Sequence, residues 1–152
     1  MQYYEDLPVG VARSFGHYDV TRDEVLEFAR KYDPQPFHLD DEAAAKTHFG
    51  RLSASGWHTA AMTMAMIVAD HKALGHMGLG SPGMDELRWL TPVYPGDTLR
   101  VETTVLEKRR SKSKPEMGIF RAATRVLNQH DKPVMTFTSM AMIATRDPAG
   151  TD

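Results

Sequence analysis

The stretch Tyr32-Asp33-Pro34-Gln35-Pro36-Phe37-His38-Leu39-Asp40 places one carboxylate and one imidazole with four residues between them. An Asp beside a His can orient the imidazole, or the two can share the activation of one water. Pro34 and Pro36 stiffen the connection, which reduces the entropy lost in holding the pair in one geometry. On their own, these residues also suit a proline-rich connector in which Asp33 caps a turn and His38 is exposed. The second chemical feature is Ser53-Ala54-Ser55-Gly56-Trp57-His58. The first backbone N–H groups of a helix lack internal partners and carry partial positive charge. With Ser55 as N-cap, Gly56 is the first helical residue and has no side chain to shield its N–H. An oxygen that gains negative charge can approach it closely, which is the arrangement of an oxyanion hole. Plain capping by Ser55, with a glycine needed for tight packing, is the simpler alternative.

A third feature is Lys108 to Lys114, with five positive charges among seven residues. Such a run can meet phosphates, or form a solvated hairpin tip. No metal site is expected: His58 and His71 are 13 apart and no histidine pair has the i, i+4 spacing of a helical zinc motif. Gly75, Gly78 and Gly80 do not follow a strand, so they are not a dinucleotide fingerprint. No G-x-S-x-G is present, and the serines have no triad context.

These side chains need elements to hold them. An irregular entry, Tyr3 to Arg13, leads into a short strand around Ala12 to Tyr18. Thr21 and Glu24 form a capping box for a helix with Val25, Leu26, Phe28 and Ala29 on its apolar face. It stops near Tyr32, because Pro34 biases Asp33 away from the α region. Asp40 or Asp41 opens a short helix through Glu42 to Lys46. Ser55 caps a long helix that carries no charge from Trp57 to Ala69. Met62, Met64, Met66, Ile67 and Val68 point in nearly every direction, so this helix should be buried all round. Gly75 and Gly78 end it.

After Gly80-Ser81-Pro82-Gly83 the pattern changes and predicts strands over Asp85 to Val93, Thr98 to Lys108, Met117 to Leu127 and Val134 to Ala144. Tyr94-Pro95-Gly96-Asp97 and Asn128-Gln129-His130-Asp131 are turns between them. The strand over Thr98 to Lys108 alternates, with Leu99, Val101, Thr103 and Val105 on one face. Arg121 and Arg125 face outward, and the last strand is apolar on both faces, as in the interior of a covered sheet. The class is α+β: one long helix wrapped by an antiparallel sheet. A second copy of the chain is the natural cover for the remaining apolar surface, so a dimer is expected.

Composition excludes several classes. The 152 residues carry a formal net charge of −2, with 41% apolar and 25% charged residues, close to the average of globular domains. That length suits one domain, residues 1–152. Cysteine is absent, which removes disulfides, thiolate zinc sites and a thiol nucleophile. Near-neutral charge does not fit a nucleic-acid partner. No signal peptide is read at MQYYEDLPVG, and the uncharged run Leu52 to Ala69 is too polar for a membrane span of about 20 apolar residues. A cytoplasmic protein without membrane association is expected.

Together, Asp33-x-x-Pro36-x-His38, the acidic Asp40, and a Ser55-Gly56 pair whose glycine lies eighteen residues after His38 resemble the MaoC-like hydratases and dehydratases. That family includes the R-specific enoyl-CoA hydratases. The likeness runs from about Tyr4 to Ala144. It takes in Gly83-x-Asp85-Glu86-Leu87-Arg88-Trp89-Leu90-x-Pro92-Val93-x-Pro95-Gly96-Asp97. The resemblance implies a hot-dog fold, with a central helix wrapped by an antiparallel sheet. It implies reversible hydration of a trans-2-enoyl-CoA, with Asp33 and His38 as the acid/base pair and the Gly56 N–H as oxyanion donor. Gln35, Phe37, Ser55, Trp57 and Met62 would line the substrate. The acyl chain would run beside the long helix past Trp57, Met62 and Met66. Among Arg88, Arg109, Lys112 and Lys114 are the cations that could meet the CoA phosphates. No cofactor beyond the CoA thioester substrate is implied, and a homodimer or higher oligomer is expected. Tyr32 stands where the family usually has Gly, Gln35 where it has Asn, and Ser55 where it often has His. Other hot-dog proteins hydrolyse thioesters, so a thioesterase using Asp33 and water is the alternative. A non-catalytic acyl-CoA-binding subunit of a larger assembly is another.

Overall fold

The computed structural model describes residues 1–150. Strand β1 (Ala12–Asp19) leads to helix α1 (Arg22–Tyr32), a 3₁₀ turn (Pro36–His38) and the short helix α2 (Asp41–Ala45). The long helix α3 (Gly56–Leu74) follows, then strands β2 (Gly78–Trp89), β3 (Thr98–Arg110), β4 (Met117–Leu127) and β5 (Pro133–Ala144). The strands form one five-stranded antiparallel sheet in the order β1-β3-β4-β5-β2. This is the expected α+β layering.

The core lies between α3 and one face of the sheet. Met62 and Met66 of α3 pack with Leu99 and Val101 of β3, Val126 of β4, and Val134, Met135 and Phe137 of β5. Val25 of α1 closes one side. The alternation read from sequence sets this face: Leu99 and Val101 are buried, while Arg100 and Glu102 pair on the other side at 2.8 Å. Thr21 caps α1 by accepting the Glu24 N–H at 3.3 Å. The box is only half made, because the Glu24 carboxylate accepts instead from the Tyr18 hydroxyl, at 2.9 Å. Asp40 caps α2, accepting the Ala43 N–H at 2.8 Å.

Three expectations change. First, α3 is not buried all round: Trp57, Met64 and Val68 are exposed in the single chain. They share a stripe on the side away from Met62 and Met66, since each residue turns the helix by about 100°. Second, β2 starts at Gly78 and ends at Trp89, so it takes in Gly80-Ser81-Pro82-Gly83 ahead of the expected start at Asp85 and stops short of Val93. It is an edge strand, and its pairing with β5 shifts register between Gly78 and Gly80 and again between Gly80 and Gly83. Glycine and proline are tolerated at such irregular edges. Third, β3 continues to Arg110, so the basic run is partly strand. Lys108 Nζ donates to the carbonyls of Tyr4 and Leu7, both at 3.0 Å. Arg110 pairs with Glu5 at 2.9 Å.

Glu5 therefore fastens both ends of the described chain. Its carboxylate accepts the N–H groups of Arg146, at 3.0 Å, and Asp147, at 3.3 Å. Burial works against its ionisation, but these N–H groups and the Arg110 guanidinium outweigh it and bring the pKa to about 2. A carboxylate depressed in the folded state adds stability above its unfolded value, and that stability is lost as the pH falls through the folded value. Urea unfolding at stepped pH should show Glu5→Gln less stable than the native chain at neutral pH, with the gap closing from about pH 4.5 down to about 2. Leu99 is fully buried, so Leu99→Ala should lower the urea midpoint by the equivalent of about 2–5 kcal/mol with an unchanged slope.

Candidate active site

Asp33 is the residue at which α1 stops. Its N–H still bonds back to the Ala29 carbonyl at 3.0 Å, but its φ of −149° and ψ of 68° have left the helix. Pro34 enforces that exit by crowding an α conformation at the residue before it. Gln35 then donates its N–H to the Asp33 carbonyl at 2.8 Å, and Pro36 opens the 3₁₀ turn with its φ already set. The turn directs His38 inward, leaving it 5% exposed. The exposed connector weighed above is therefore not what forms.

The His38 ring is fixed from several sides. Phe37 meets it edge-on at 4.6 Å and Phe49 lies 6.0 Å away. Its Nδ1 donates to the Ser53 carbonyl at 2.7 Å. A carbonyl only accepts, so Nδ1 holds the proton and Nε2 is left as the atom that can gain or lose one. That Nε2 faces Asp33 Oδ2 at 3.5 Å.

Both Asp33 oxygens accept hydrogen bonds. Gln35 Nε2 donates to Oδ1 and the Ser55 hydroxyl to Oδ2, each at 2.7 Å. Burial pushes the Asp33 pKa up. The bonds from Gln35 and Ser55 and the nearby His38 push it down and prevail, so it lies below the usual carboxylate value. Asp33 is an anion at neutral pH.

Ser55 is also the N-cap of α3, accepting the Trp57 N–H at 3.2 Å. Among the described residues, nothing accepts the Gly56 N–H. The close packing of the simpler reading is present too. Trp89 of β2 donates its indole N–H to the Gly56 carbonyl at 2.8 Å, and a Cβ on Gly56 would stand 2.6 Å from the Trp89 ring. Trp57 meets Trp89 edge-to-face at 5.0 Å.

The structure thus joins Asp33, Gln35, His38, Ser55 and Gly56 in one cluster, with Phe37 against the His38 ring. Trp57 is beside the cluster and 59% exposed. Met62 is not part of it. It is 2% exposed and belongs to the core, because its side of α3 faces the sheet. Met66 is buried with it, so the expected acyl path past both methionines is closed by packing. A cavity of about 410 Å³ lies on another side of α3, lined by Met64, Ile67, His71, Phe120, Phe137 and Met142 among others, and shares no residue with the Asp33–His38 cluster. No group of three or more metal-ligating side chains gathers among the described residues. Three participants were not picked out from the sequence: the Ser53 carbonyl, the Phe49 ring and the Trp89 indole. A backbone acceptor leaves no residue-type signal, and the two aromatics reach the site only through tertiary folding.

The MaoC like domain model matches residues 9–125. The chain belongs to this family. It is 42% identical over 67 residues to the mesaconyl-CoA hydratase of Cereibacter sphaeroides, a match covering 44% of this chain and 19% of that protein. It is 30% identical over 106 residues to the 3-hydroxybutyryl-CoA dehydratase of Methylorubrum extorquens, covering 69% of this chain and 64% of that one. The solved MaoC-like dehydratase of Rhodospirillum rubrum superposes with a TM-score of 0.86 at 40% identity, covering 97% of this chain and 99% of that chain. The fold is the hot-dog fold of this MaoC-like family.

Trp57 and Trp89 are the two tryptophans of the chain, and both stand at the start of α3. Gly56→Ala should push the Trp89 indole away, shift tryptophan emission and near-UV dichroism, and lower stability by about 1–3 kcal/mol. Unaltered spectra would show that the ring does not lie on Gly56.

Proposed function

We propose that this MaoC-like protein is a hydro-lyase that reversibly hydrates a trans-2-enoyl-CoA. The observation that carries this reading is the 3.5 Å approach of His38 Nε2 to Asp33 Oδ2, with the His38 tautomer set by Ser53. That gap is long for a direct bond and suits a water that touches both groups. In the hydration direction the water oxygen bonds to C3. The C2=C3 electrons move toward the thioester carbonyl, the pair takes up one proton of the water, and it returns a proton to C2 as the carbonyl re-forms. The Gly56 N–H meets the carbonyl oxygen as it becomes an enolate. A positioned acid/base contributes about 10²–10⁴ in rate, and one oxyanion donor about 10²–10³. The names of the mesaconyl-CoA and 3-hydroxybutyryl-CoA relatives support a CoA thioester as substrate. Gln35, Phe37, Ser55 and Trp57 would contact it. Lys108 and Arg110 are engaged with the N-terminal segment, which leaves Arg88, Arg109, Lys112 and Lys114 for the phosphates.

A homodimer is part of the proposal. The Trp57, Met64 and Val68 stripe and the open edge of β2, with Leu79 and Met84, leave apolar surface uncovered in one chain. Val68→Glu should shift the sedimenting species toward monomer, because it sets a charge within the stripe.

Asp33→Asn and His38→Gln should each lower turnover of enoyl-CoA by at least about 10² with unchanged far-UV dichroism. The assay follows loss of enoyl absorbance, with a thiol reagent in parallel wells. Thiol release without reversible hydration would replace the reading with a thioesterase. Saturable acyl-CoA binding with neither signal would make the chain a binding subunit.

A further inference from the structure

We propose that Gln35 and Ser55 are positioning residues that clamp the Asp33 carboxylate, and that the Ser55 hydroxyl sets the register between that carboxylate and the Gly56 N–H. The role rests on the hydration reading above.

A carboxylate in a partly open pocket can swing about its Cβ–Cγ bond and exchange its two oxygens. Asp33 is held against this by one donor on each oxygen, Gln35 Nε2 on Oδ1 and Ser55 Oγ on Oδ2, both at 2.7 Å. Rotation would break both bonds, and bonds to an ionised acceptor are roughly twice as strong as neutral ones. Oδ2 is thereby kept toward His38 Nε2. The two donors come from different segments of the chain: Gln35 from the loop after α1, and Ser55 from the entry to α3.

Ser55 does more than donate. A hydroxyl has one proton and two lone pairs. The proton goes to Asp33 Oδ2, and a lone pair takes the Trp57 N–H at 3.2 Å. One oxygen atom thus touches both the carboxylate and the first turn of α3, where Gly56 offers its N–H. An N-cap aspartate would accept from Trp57 equally well, but would present Asp33 with a second anion. A serine satisfies both neighbours. The same two bonds counter the effect of burial on Asp33, so losing either should raise the pH at which it protonates.

Gln35 is exposed and Ser55 is fully buried, which separates the tests. Gln35→Met removes a donor without disturbing the core, and Ser55→Ala removes the hydroxyl. The first readout is carboxyl ¹³C NMR titration of Asp33 in the full chain without substrate. The midpoint should rise in both variants and furthest in the double variant. The second readout is enoyl-CoA turnover. Ser55→Ala should lower kcat about tenfold and Gln35→Met less, and the acid limb of kcat should move to higher pH. An Asp33 midpoint that stays in place in folded Gln35→Met overturns the clamp, whether or not Ser55→Ala folds. If the native chain hydrates no enoyl-CoA, the functional reading fails, while the titration still decides whether the carboxylate is clamped.

Discussion

Burial of Met62 and Met66 against β3, β4 and β5 fixes where α3 begins, and the candidate chemistry is referred to that point. The first turn of a helix is held as rigidly as the apolar face behind it. Here that face meets the fully buried Leu99, Val101, Val126 and Val134. Ser53, Ser55 and Gly56 then occupy positions set by the core rather than by a free loop. Ser53 offers its carbonyl to His38, Ser55 its hydroxyl to Asp33, and Gly56 follows with an N–H that no described residue accepts. These placements along one short segment follow from one packed helix.

The other half of the site comes from a segment that cannot continue a helix. Pro34 ends α1 and Pro36 starts the 3₁₀ turn, so Asp33 and His38 leave the backbone in directions fixed by two rings. Burial would favour a neutral Asp33, yet donors on both oxygens hold it as an anion beside His38. The donors, an amide and a hydroxyl, carry no charge. The cluster thus keeps one negative charge beside the His38 imidazole, an arrangement that suits the proposed transfer of a proton between water and carbon.

Much of this was legible in the sequence. The helix over 56–74 shows in its uncharged apolar run and its serine cap, and the alternation of Leu99, Val101 and Thr103 against charged neighbours shows the strand. Asp33 and His38 are visible as a candidate pair, but those residues alone suit an exposed connector equally well, and the pairing comes from the resemblance of the wider motif. Three things were not legible, for physical reasons. An edge strand with register shifts accepts Gly80, Pro82 and Gly83, residues that carry no strand signal, so the strand is expected to start only at Asp85. Met62 and Met64 are the same residue type two positions apart, and only the orientation of the helix decides that one is core and the other cavity wall. The Ser53 carbonyl that orients His38 is backbone, and its role belongs to position rather than to identity.

Glu5, Arg110 and the N–H groups of Arg146 and Asp147 meet at one corner of the fold. The two ends of the described chain therefore leave the fold side by side. Along the described residues the chain thus nearly closes on itself, with the seam at the far end of β3 from the turn at Gly96. A short bridge across that seam would let the chain be opened at another surface turn, such as the one at Gln129-His130. The order of the elements in the polypeptide would change. Their neighbours in space, and the relation of Asp33 to Gly56, would not.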